Sequence, residues 1–459
     1  MRGGGRLAIA HERPFPCHGR AHPSGAARLL VTRERFTGQW AAIGLAVLAC
    51  VPGIVLRITE PHIDPLLESA VYGIAILGAA FLLTWGAETA EVDISQGLAL
   101  AIIAFIAVLP EYAVDAFLAW EAGSDPEKAA EGLAIANMTG GNRLLIGIGW
   151  PVVFLIFFYR RRLKELVVSR ARALELAFLA VATVYVILIP LRNTLTLADT
   201  IVLVSMFVIY LVMTSRVESE EVELVGPARA MGSLPDVRRR VLVVVTLVFA
   251  AAVIIASAEP FAHGLVETGK KVNISEFVLI QWIAPLASES PEVLVAALLA
   301  WRGRAAAGMG ALISSKVNQW TLLIGTLPIA FMIGSGDWGI LQGLPLVSPT
   351  EEVNLFFSRQ QGEVFLTAAQ SAFAIAVFVN LRMSRPEAWA LFILFAAQLP
   401  LTEDVLGDGA QIVRFWYSIG YMVLCAALLI RNRAGIPGLV RDARDMVTGK
   451  ADFVEEQRH

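Results

Sequence analysis

The feature that most constrains this chain is a series of apolar runs long enough to cross a lipid bilayer. The runs lie at about 38–58, 66–88, 95–120, 131–158, 173–191, 198–215, 240–262, 274–301, 308–333, 363–381, 386–401 and 411–430. A helix needs roughly 20 mostly apolar residues to span the hydrocarbon core, so the pattern predicts about twelve transmembrane helices. The run at 386–401 is the shortest and is consistent with a half-span. The predicted fold class is an all-α polytopic membrane protein.

Composition supports a membrane protein and excludes several other classes. Hydrophobic residues make up 56% of the chain and charged residues 17%, where soluble domains carry about 25% charge. The formal net charge of −3 gives no indication of nucleic-acid binding. Cys17, Cys50 and Cys425 are far apart and form neither a disulfide framework nor a zinc motif. The expected surroundings are a lipid bilayer.

The loops divide the chain into membrane and cytoplasmic parts. Residues 1–37 are rich in Arg, Gly, Pro and His and lack the apolar core of a signal peptide, which predicts a disordered basic cytoplasmic tail. Basic and acidic loops alternate along the chain, and lysine and arginine stay on the cytoplasmic side, so both termini are expected there. The predicted parts are a first membrane half at 38–215, a cytoplasmic linker at 216–239, a second membrane half at 240–431 and a cytoplasmic C-terminal tail at 432–459. The expected location is a bacterial plasma (inner) membrane.

One motif occurs in both halves. Residues 109–120 read LPEYAVDAFLAW and residues 290–301 read SPEVLVAALLAW, so that Pro110-Glu111 and Pro291-Glu292 stand at matching positions. The predicted threading gives the two segments opposite directions across the membrane. Similar segments of opposite direction form an inverted repeat, the architecture of many secondary transporters.

The motif places carboxylates inside apolar segments. A mid-membrane carboxylate costs about 2.5–3.5 kcal/mol to insert, so Glu111 and Glu292 at equivalent positions indicate a function. Asp115 lies one turn beyond Glu111 on the same face, and Glu289 lies three residues before Glu292. Such crowded carboxylates would share protons. For Asp115 a hydrated position nearer the outer interface is the competing interpretation.

Polar and basic residues accumulate in the helices that follow each motif. Oxygen donors at these positions suit hard cations such as Ca²⁺ and Na⁺, and interhelical hydrogen bonds are the alternative. The two explanations are equally good for Gln319, whereas the matched positions of Asn142 and Asn318 favour a role as ligands. Arg143 and Lys316 fall in the same helices, and we expect each to pair with a carboxylate or to extend along a cavity wall. A fixed ammonium could take the place of one bound cation. The candidate cation ligands are Glu111, Glu292, Asn142, Asn318, Glu289, Asp115, Ser288, Ser315, Asn137 and Gln319.

These residues resemble the calcium/cation antiporter superfamily, whose best-known members are the sodium/calcium exchangers. Its first repeat reads roughly G-T-S-x-P-E and then G-N-x-x-G-S-N-x-x-N, and its second repeat is similar. The resemblance covers about residues 66–334 and places the two central glutamates of the family on Glu111 and Glu292. The terminal Asn or Asp of the family falls near Asn142 and on Asn318 or Gln319.

The chain also departs from that pattern. The G-T-S positions hold Ile106, Ala107 and Val108 in the first repeat and Ala287, Ser288 and Glu289 in the second. The first repeat therefore lacks both hydroxyls that the family uses for sodium. With fewer sodium ligands and more titratable groups, cation/proton exchange is favoured over sodium/calcium exchange.

The leading hypothesis is a secondary active antiporter that is not an enzyme. It would exchange Ca²⁺, Na⁺ or K⁺ against protons or Na⁺ at a midplane site, with no organic cofactor and with the oligomeric state open. A non-transporting, sensor-like exchanger homologue remains an alternative if Arg143 and Lys316 fill the site with salt bridges. An intramembrane enzyme is less favoured, because the sequence contains no diaspartyl, zinc or nucleophile motif.

Overall fold

The computed structural model describes residues 36–61, 63–90, 92–93, 109–215, 224–347 and 357–448. The predicted basic tail at 1–37 lies outside this part except for its last two residues, as do the predicted span before Leu109 and the beginning of the linker at 216–239. The described chain is mostly helical, which confirms the predicted fold class.

Helices follow one another along both halves of the chain. Those of the first half and linker are α1 (Thr37–Thr59), α2 (Pro65–Ala90), α3 (Leu109–Ser124), α4 (Pro126–Glu131), α5 (Leu133–Leu144), α6 (Trp150–Arg161), α7 (Arg172–Leu188), α8 (Leu197–Thr214) and α9 (Pro227–Gly232). Those of the second half are α10 (Asp236–Val272), α11 (Glu276–Trp301), α12 (Ala305–Asn318), α13 (Ile324–Ser335), α14 (Arg359–Val377), α15 (Arg385–Gln398), α16 (Glu403–Leu406), α17 (Ala410–Arg431) and α18 (Ile436–Val447). Short 3₁₀ turns occupy Ile189–Leu191, Phe378–Asn380 and Gly407–Gly409.

Ten helical stretches of the described residues are long and apolar enough to cross a membrane. The two other predicted runs correspond to α3, whose described part begins at Leu109, and to the 14-residue α15, which was expected to be the shortest. Among the described residues, the prediction of about twelve spans therefore matches ten full-length candidates, the described part of α3 and the short α15.

The described part of the chain also contains four three-residue strands, which the sequence did not predict. β1 (Glu165–Val167) pairs antiparallel with β4 (Arg382–Ser384), and β2 (Thr194–Thr196) pairs with β3 (Gly343–Pro345). Each pair joins a loop of the first half to a loop of the second half. Segments this short carry no readable alternation, and their partners lie far away in the chain.

Capping motifs fix where several helices begin. α8 follows a capping box in which Thr196 and Asp199 each bond the other's backbone N–H, and α14 follows the same arrangement of Ser358 and Gln361. α15 begins after a third such box, formed by Ser384 and Glu387. These reciprocal bonds satisfy backbone donors that have no partner inside the helix.

An ion-pair cluster fastens the end of α2 to the beginning of α10. Asp93 accepts hydrogen bonds from Arg239 Nε and Nη2 at 2.7 Å each and from Arg240 Nε at 2.9 Å. These guanidinium groups lower the pKa of Asp93 to about 2, so this carboxylate stays ionised at neutral pH. The two long helices then pack along each other.

Two helix crossings join the repeats. α3 packs against α13, and α11 packs against α5, so each motif helix lies against a helix of the other half. A Cβ atom placed on Gly140 would stand 1.8 Å from the carbonyl oxygen of Gln281, and one on Gly123 would stand 2.0 Å from that of Phe331. Glycine is therefore required for both backbones to approach this closely.

The same irregularity interrupts a long helix in each repeat. A π-helical turn at Leu145–Gly149 joins α5 to α6, and a second at Gln319–Leu323 joins α12 to α13. Each follows within three residues of a predicted ligand, Asn142 or Asn318. Such turns in α-helices often occur at functional sites.

Two segments outside the predicted spans contain helices. The linker at 216–239 contains the six-residue α9, and the predicted C-terminal tail contains the amphipathic α18. Leu439, Ala443 and Met446 are buried on one face of α18, which packs against α7. Because α18 is too short and too polar to resemble a span, a search for apolar runs passes over it.

We expect Gly140→Ala to destabilise the protein by about 1–3 kcal/mol or more, because the added methyl group meets the backbone of α11. Gly420→Ala on α17 is the matched control, since nothing lies within 4 Å of a Cβ atom there. Alanine favours a helix over glycine by about 1 kcal/mol, so the control should be neutral or stabilised. Thermal unfolding of both purified variants in detergent measures the difference, and equal midpoints would contradict the crossing geometry.

Candidate functional site

Three carboxylates meet where the crossings bring the repeats together. Glu111 and Asp115 project from α3, and Glu289 projects from α11. Their exposed fractions are 4%, 1% and 0%, respectively. The competing interpretation of Asp115 as a hydrated interfacial residue is therefore wrong, because the crossing helices cover it.

Amide side chains orient two of these carboxylates. Asn137 Nδ2 donates to Asp115 Oδ1 at 2.8 Å, and Gln319 Nε2 donates to Glu289 Oε1 at 2.5 Å. Gln319 begins the second π-helical turn, and Asn137 lies on α5. The π-helical turn thus begins at the residue that contacts the buried carboxylate of Glu289.

Many oxygens in this region have no hydrogen-bond donor. Both carboxylate oxygens of Glu111 are buried without a partner, and so is one oxygen of each of Asp115, Asn137, Glu289 and Gln319. Buried polar atoms are ordinarily paired, and an unpaired one costs about 1–3 kcal/mol. Several buried oxygens without hydrogen-bond partners lie together here and come from both repeats. Such a group indicates a site that binds a cation or protons.

These oxygens surround a small cavity. It has a volume of about 10 Å³, close to the space that one water molecule needs. The lining residues are Glu111, Asp115, Asn137, Met138, Gly141, Asn142, Pro285, Ser288, Glu289, Gln319 and Leu323. Within the described residues, no group of three or more acidic, histidine or cysteine side chains is close enough to hold a metal alone. Amide oxygens would therefore have to contribute to a cation site.

The predicted ligands outside the cavity lining are Glu292, Ser315 and Asn318. Glu292 and Ser315 are half-buried, and Asn318 accepts a hydrogen bond from the Tyr112 hydroxyl at 3.1 Å. In the second repeat the structure thus places Glu289, rather than the motif residue Glu292, in the cavity wall. Ser288 does line the cavity, but its hydroxyl is directed to the carbonyl of Pro285 at 3.3 Å.

Arg143 is paired away from the cavity. Its guanidinium lies 2.5 Å from Glu363 on α14, and Arg414 on α17 lies 3.0 Å from the same carboxylate. Gln281 Nε2 also donates to Glu363, at 2.9 Å. Arg143 therefore pairs with a carboxylate, as predicted, but that carboxylate is not one of the candidate ligands.

Lys316 contacts a predicted ligand instead of a carboxylate. Its ammonium lies 2.5 Å from Asn142 Oδ1, 3.3 Å from the Asn142 carbonyl oxygen and 4.2 Å from the centre of the Trp320 ring. Asn142 is thus in the cavity wall with its side-chain oxygen already occupied.

Sequence reasoning missed Glu363, Arg414, Gln281 and Tyr112. Glu363 and Arg414 stand near the beginnings of their apolar runs, where a charge is easily taken for an interfacial residue. Both are buried in the structure. Their charge within a spanning helix was an available signal, but the pairing of Glu363 with Arg143 was not, since Arg143 lies in the other half of the chain.

Comparisons with known proteins show which family shares this sequence and fold. The model of the family described as sodium/calcium exchanger protein matches residues 66–216 and 242–401, so that each matched segment contains one Pro-Glu motif. A solved structure of the H⁺/Ca²⁺ exchanger CAX is 41% identical, with a TM-score of 0.81, and the match covers 90% of this chain and 99% of that one. The structure of native YfkE shares the fold at 15% identity and a TM-score of 0.56, covering 83% of this chain and 100% of that one.

A curated relative from Alkalimonas amylolytica is named "Putative antiporter CaxA". It is 28% identical over 183 residues, which are 39% of this chain and 54% of that protein. The chain thus spans about half the length of this relative. The matched family consists of transporters rather than enzymes, in agreement with the sequence prediction. Since the family match extends through most of both membrane halves, the chain belongs to the sodium/calcium exchanger protein family, within the calcium/cation antiporter superfamily.

Proposed function

We propose that this protein is a cation/proton antiporter that exchanges a divalent cation, Ca²⁺ above all, against protons. The observation that carries the proposal is the small cavity bordered by unpartnered, buried carboxylate and amide oxygens from both repeats. The 41% identical relative is an H⁺/Ca²⁺ exchanger, which supports the choice of ions.

The ligand chemistry favours a hard cation. Glu111, Asp115 and Glu289 supply carboxylate oxygens, and Asn137 and Gln319 supply amide oxygens. Ca²⁺ takes about six to eight oxygen ligands in flexible geometry, including monodentate carboxylates, amides and water. Small rotations of these side chains would complete the site.

Charge balance couples the cation to protons. Carboxylates buried this deeply cannot all remain ionised without a counter-charge. When the divalent cation leaves, protons must take its place, and when protons leave, a cation must enter. The same oxygens therefore hold either cargo, which is the requirement for antiport at one site.

Access must alternate between the two membrane faces. The cavity is far too small for a hydrated cation, so the helices around it have to separate toward one side at a time. The crossings join the repeats at this point, so movement of one repeat against the other would open each side in turn. The described geometry supports an occluded arrangement of the proposed site.

The sensor-like alternative is disfavoured by the placement of the two bases. It requires Arg143 and Lys316 to neutralise the site carboxylates through salt bridges. Arg143 pairs with Glu363, Lys316 with Asn142, and Glu111 keeps both oxygens unpartnered.

We further propose that both termini face the cytoplasm and that the bacterial plasma membrane is the location. Basic side chains concentrate in the loops after α6 and α11 and around the beginning of α10, which supports this orientation. The division into membrane halves at 38–215 and 240–431 is part of the same proposal.

Glu111→Gln and Glu289→Gln are each expected to lower Ca²⁺-dependent proton flux by about ten- to a hundredfold, as loss of support for a metal site does. Purified protein in sealed vesicles with an internal pH dye gives the measurement. Glu267→Gln is the matched control, because Glu267 is exposed and pairs with Lys270 on the same helix. Full flux in both cavity variants would refute the proposed site.

Glu289 and Glu292 on α11 should differ in their effect on transport. Glu289 is fully buried in the cavity wall, whereas Glu292 is half-buried and outside it. We therefore expect Glu292→Gln to keep more flux and tighter apparent Ca²⁺ affinity than Glu289→Gln, by about tenfold or more. A Ca²⁺ titration of the flux in both variants tests this order, and the reverse order would restore Glu292 as the principal ligand.

A further inference from the structure

Lys316 has the surroundings of a bound monovalent cation. It is fully buried, and its ammonium contacts the side-chain and backbone oxygens of Asn142. The face of the Trp320 ring provides a third contact. Oxygen dipoles and an aromatic face are the groups that stabilise a small desolvated cation.

This ammonium lies beside the proposed transport site. Asn142 borders the cavity, and its side-chain oxygen is directed to Lys316 rather than to the cavity. Gln319, one turn beyond Lys316, holds the cavity carboxylate Glu289. The lysine thus occupies an oxygen that would otherwise be available to a transported ion.

The charges around the cavity nearly balance. Glu111, Asp115 and Glu289 border the cavity, and Glu292 lies about one turn beyond Glu289 on α11, outside the cavity wall. Together these four carboxylates provide four negative charges, and Lys316 provides one positive charge. Arg143 and Arg414 share Glu363, and this group has one net positive charge. Two negative charges remain when every group is ionised. One divalent cation or two protons would neutralise them.

Other buried charges do not alter this balance. Among the described residues each of them has its own ion-pair partner. The pairs are Glu175 with Arg172, Asp199 with Arg192, Asp93 with Arg239, and Glu387 with Arg431. The uncompensated charge is therefore confined to the cavity region.

We propose that Lys316 is a resident cation that takes the place of a monovalent co-substrate. It fixes the exchange at one divalent cation against two protons and makes that exchange independent of Na⁺. This inference rests on the proposed antiport function and adds its stoichiometry and its selectivity against Na⁺.

Without the lysine ammonium, the site should need a second bound cation. Lys316→Met keeps an unbranched apolar side chain but leaves the Asn142 oxygen free and a third negative charge uncompensated. Na⁺ can bind the free Asn142 oxygen and compensate the third negative charge, because it is a hard cation with the same charge as the lysine ammonium. Lys316→Arg keeps the charge and is the matched control.

The test measures Ca²⁺/H⁺ exchange in vesicles with Na⁺ replaced by choline at constant ionic strength. We expect the wild-type protein and Lys316→Arg to be indifferent to Na⁺. We expect Na⁺ to raise Ca²⁺ flux in Lys316→Met by at least about fivefold, the lower end of coupling between two ligands. A folded Lys316→Met variant that exchanges Ca²⁺ without any Na⁺ effect would overturn the inference.

A second measurement needs no variant and covers the case in which Lys316→Met does not fold. Exchange of one divalent cation for two protons moves no net charge, so wild-type flux should not respond to a potential set with K⁺ and valinomycin. A wild-type flux that follows the potential, or that Na⁺ drives, would overturn the role of Lys316 while leaving antiport intact. Absence of any Ca²⁺/H⁺ exchange in the wild-type protein would overturn the proposed function itself.

Discussion

The structure depends on the presence of more negative than positive charge inside a membrane-spanning bundle. Glu111, Asp115 and Glu289 are buried with oxygens that no donor satisfies. In the hydrocarbon core such groups cannot turn to bulk water, so they must find a cation, a proton or a base. Two bases are close at hand, yet one is held by Glu363 and the other by Asn142. The uncompensated negative charge is therefore a property of the fold, and in the proposed function it is neutralised by the exchange of a cation for protons.

The backbone determines where this charge can accumulate. Glycine at the crossings lets α5 approach α11, and α3 approach α13, within contact distance of the carbonyl oxygens. At Gly141 a Cβ atom would stand 3.1 Å from Glu289 Oε1, so the space beside that carboxylate also depends on a missing side chain. Each repeat supplies one motif helix and covers the motif helix of the other. Neither half could enclose the cavity alone, because the wall that faces each motif belongs to the opposite half.

Much of this arrangement could be predicted from the sequence, and the rest could not for a physical reason. Apolar length predicts the spans, and the repeated Pro-Glu motif locates Glu111 and the helix of Glu289. Patterns of this kind are local, with a reach of a few turns. The partners of Arg143 and Lys316 lie 220 and 174 residues away, at Glu363 and Asn142, and no local pattern contains such a pairing. The choice between Glu289 and Glu292 depends on the rotation of α11, which packing sets. The assignment of all ten predicted ligands remains a prediction.

The repeats are related in backbone but differ in charge, and this difference bears on mechanism. The first repeat contributes two cavity carboxylates, while the second contributes one together with Lys316. In both repeats a π-helical turn follows the helix that contains the polar residues. The two repeats therefore share this backbone feature although their side chains differ. If the two halves move against each other during transport, their ligands separate unequally. The ammonium would stay with the glutamate of its own half, since Gln319 on the same long helix holds Glu289. The negative charge most dependent on cargo would then be that of Glu111, whose oxygens have no partner from either repeat.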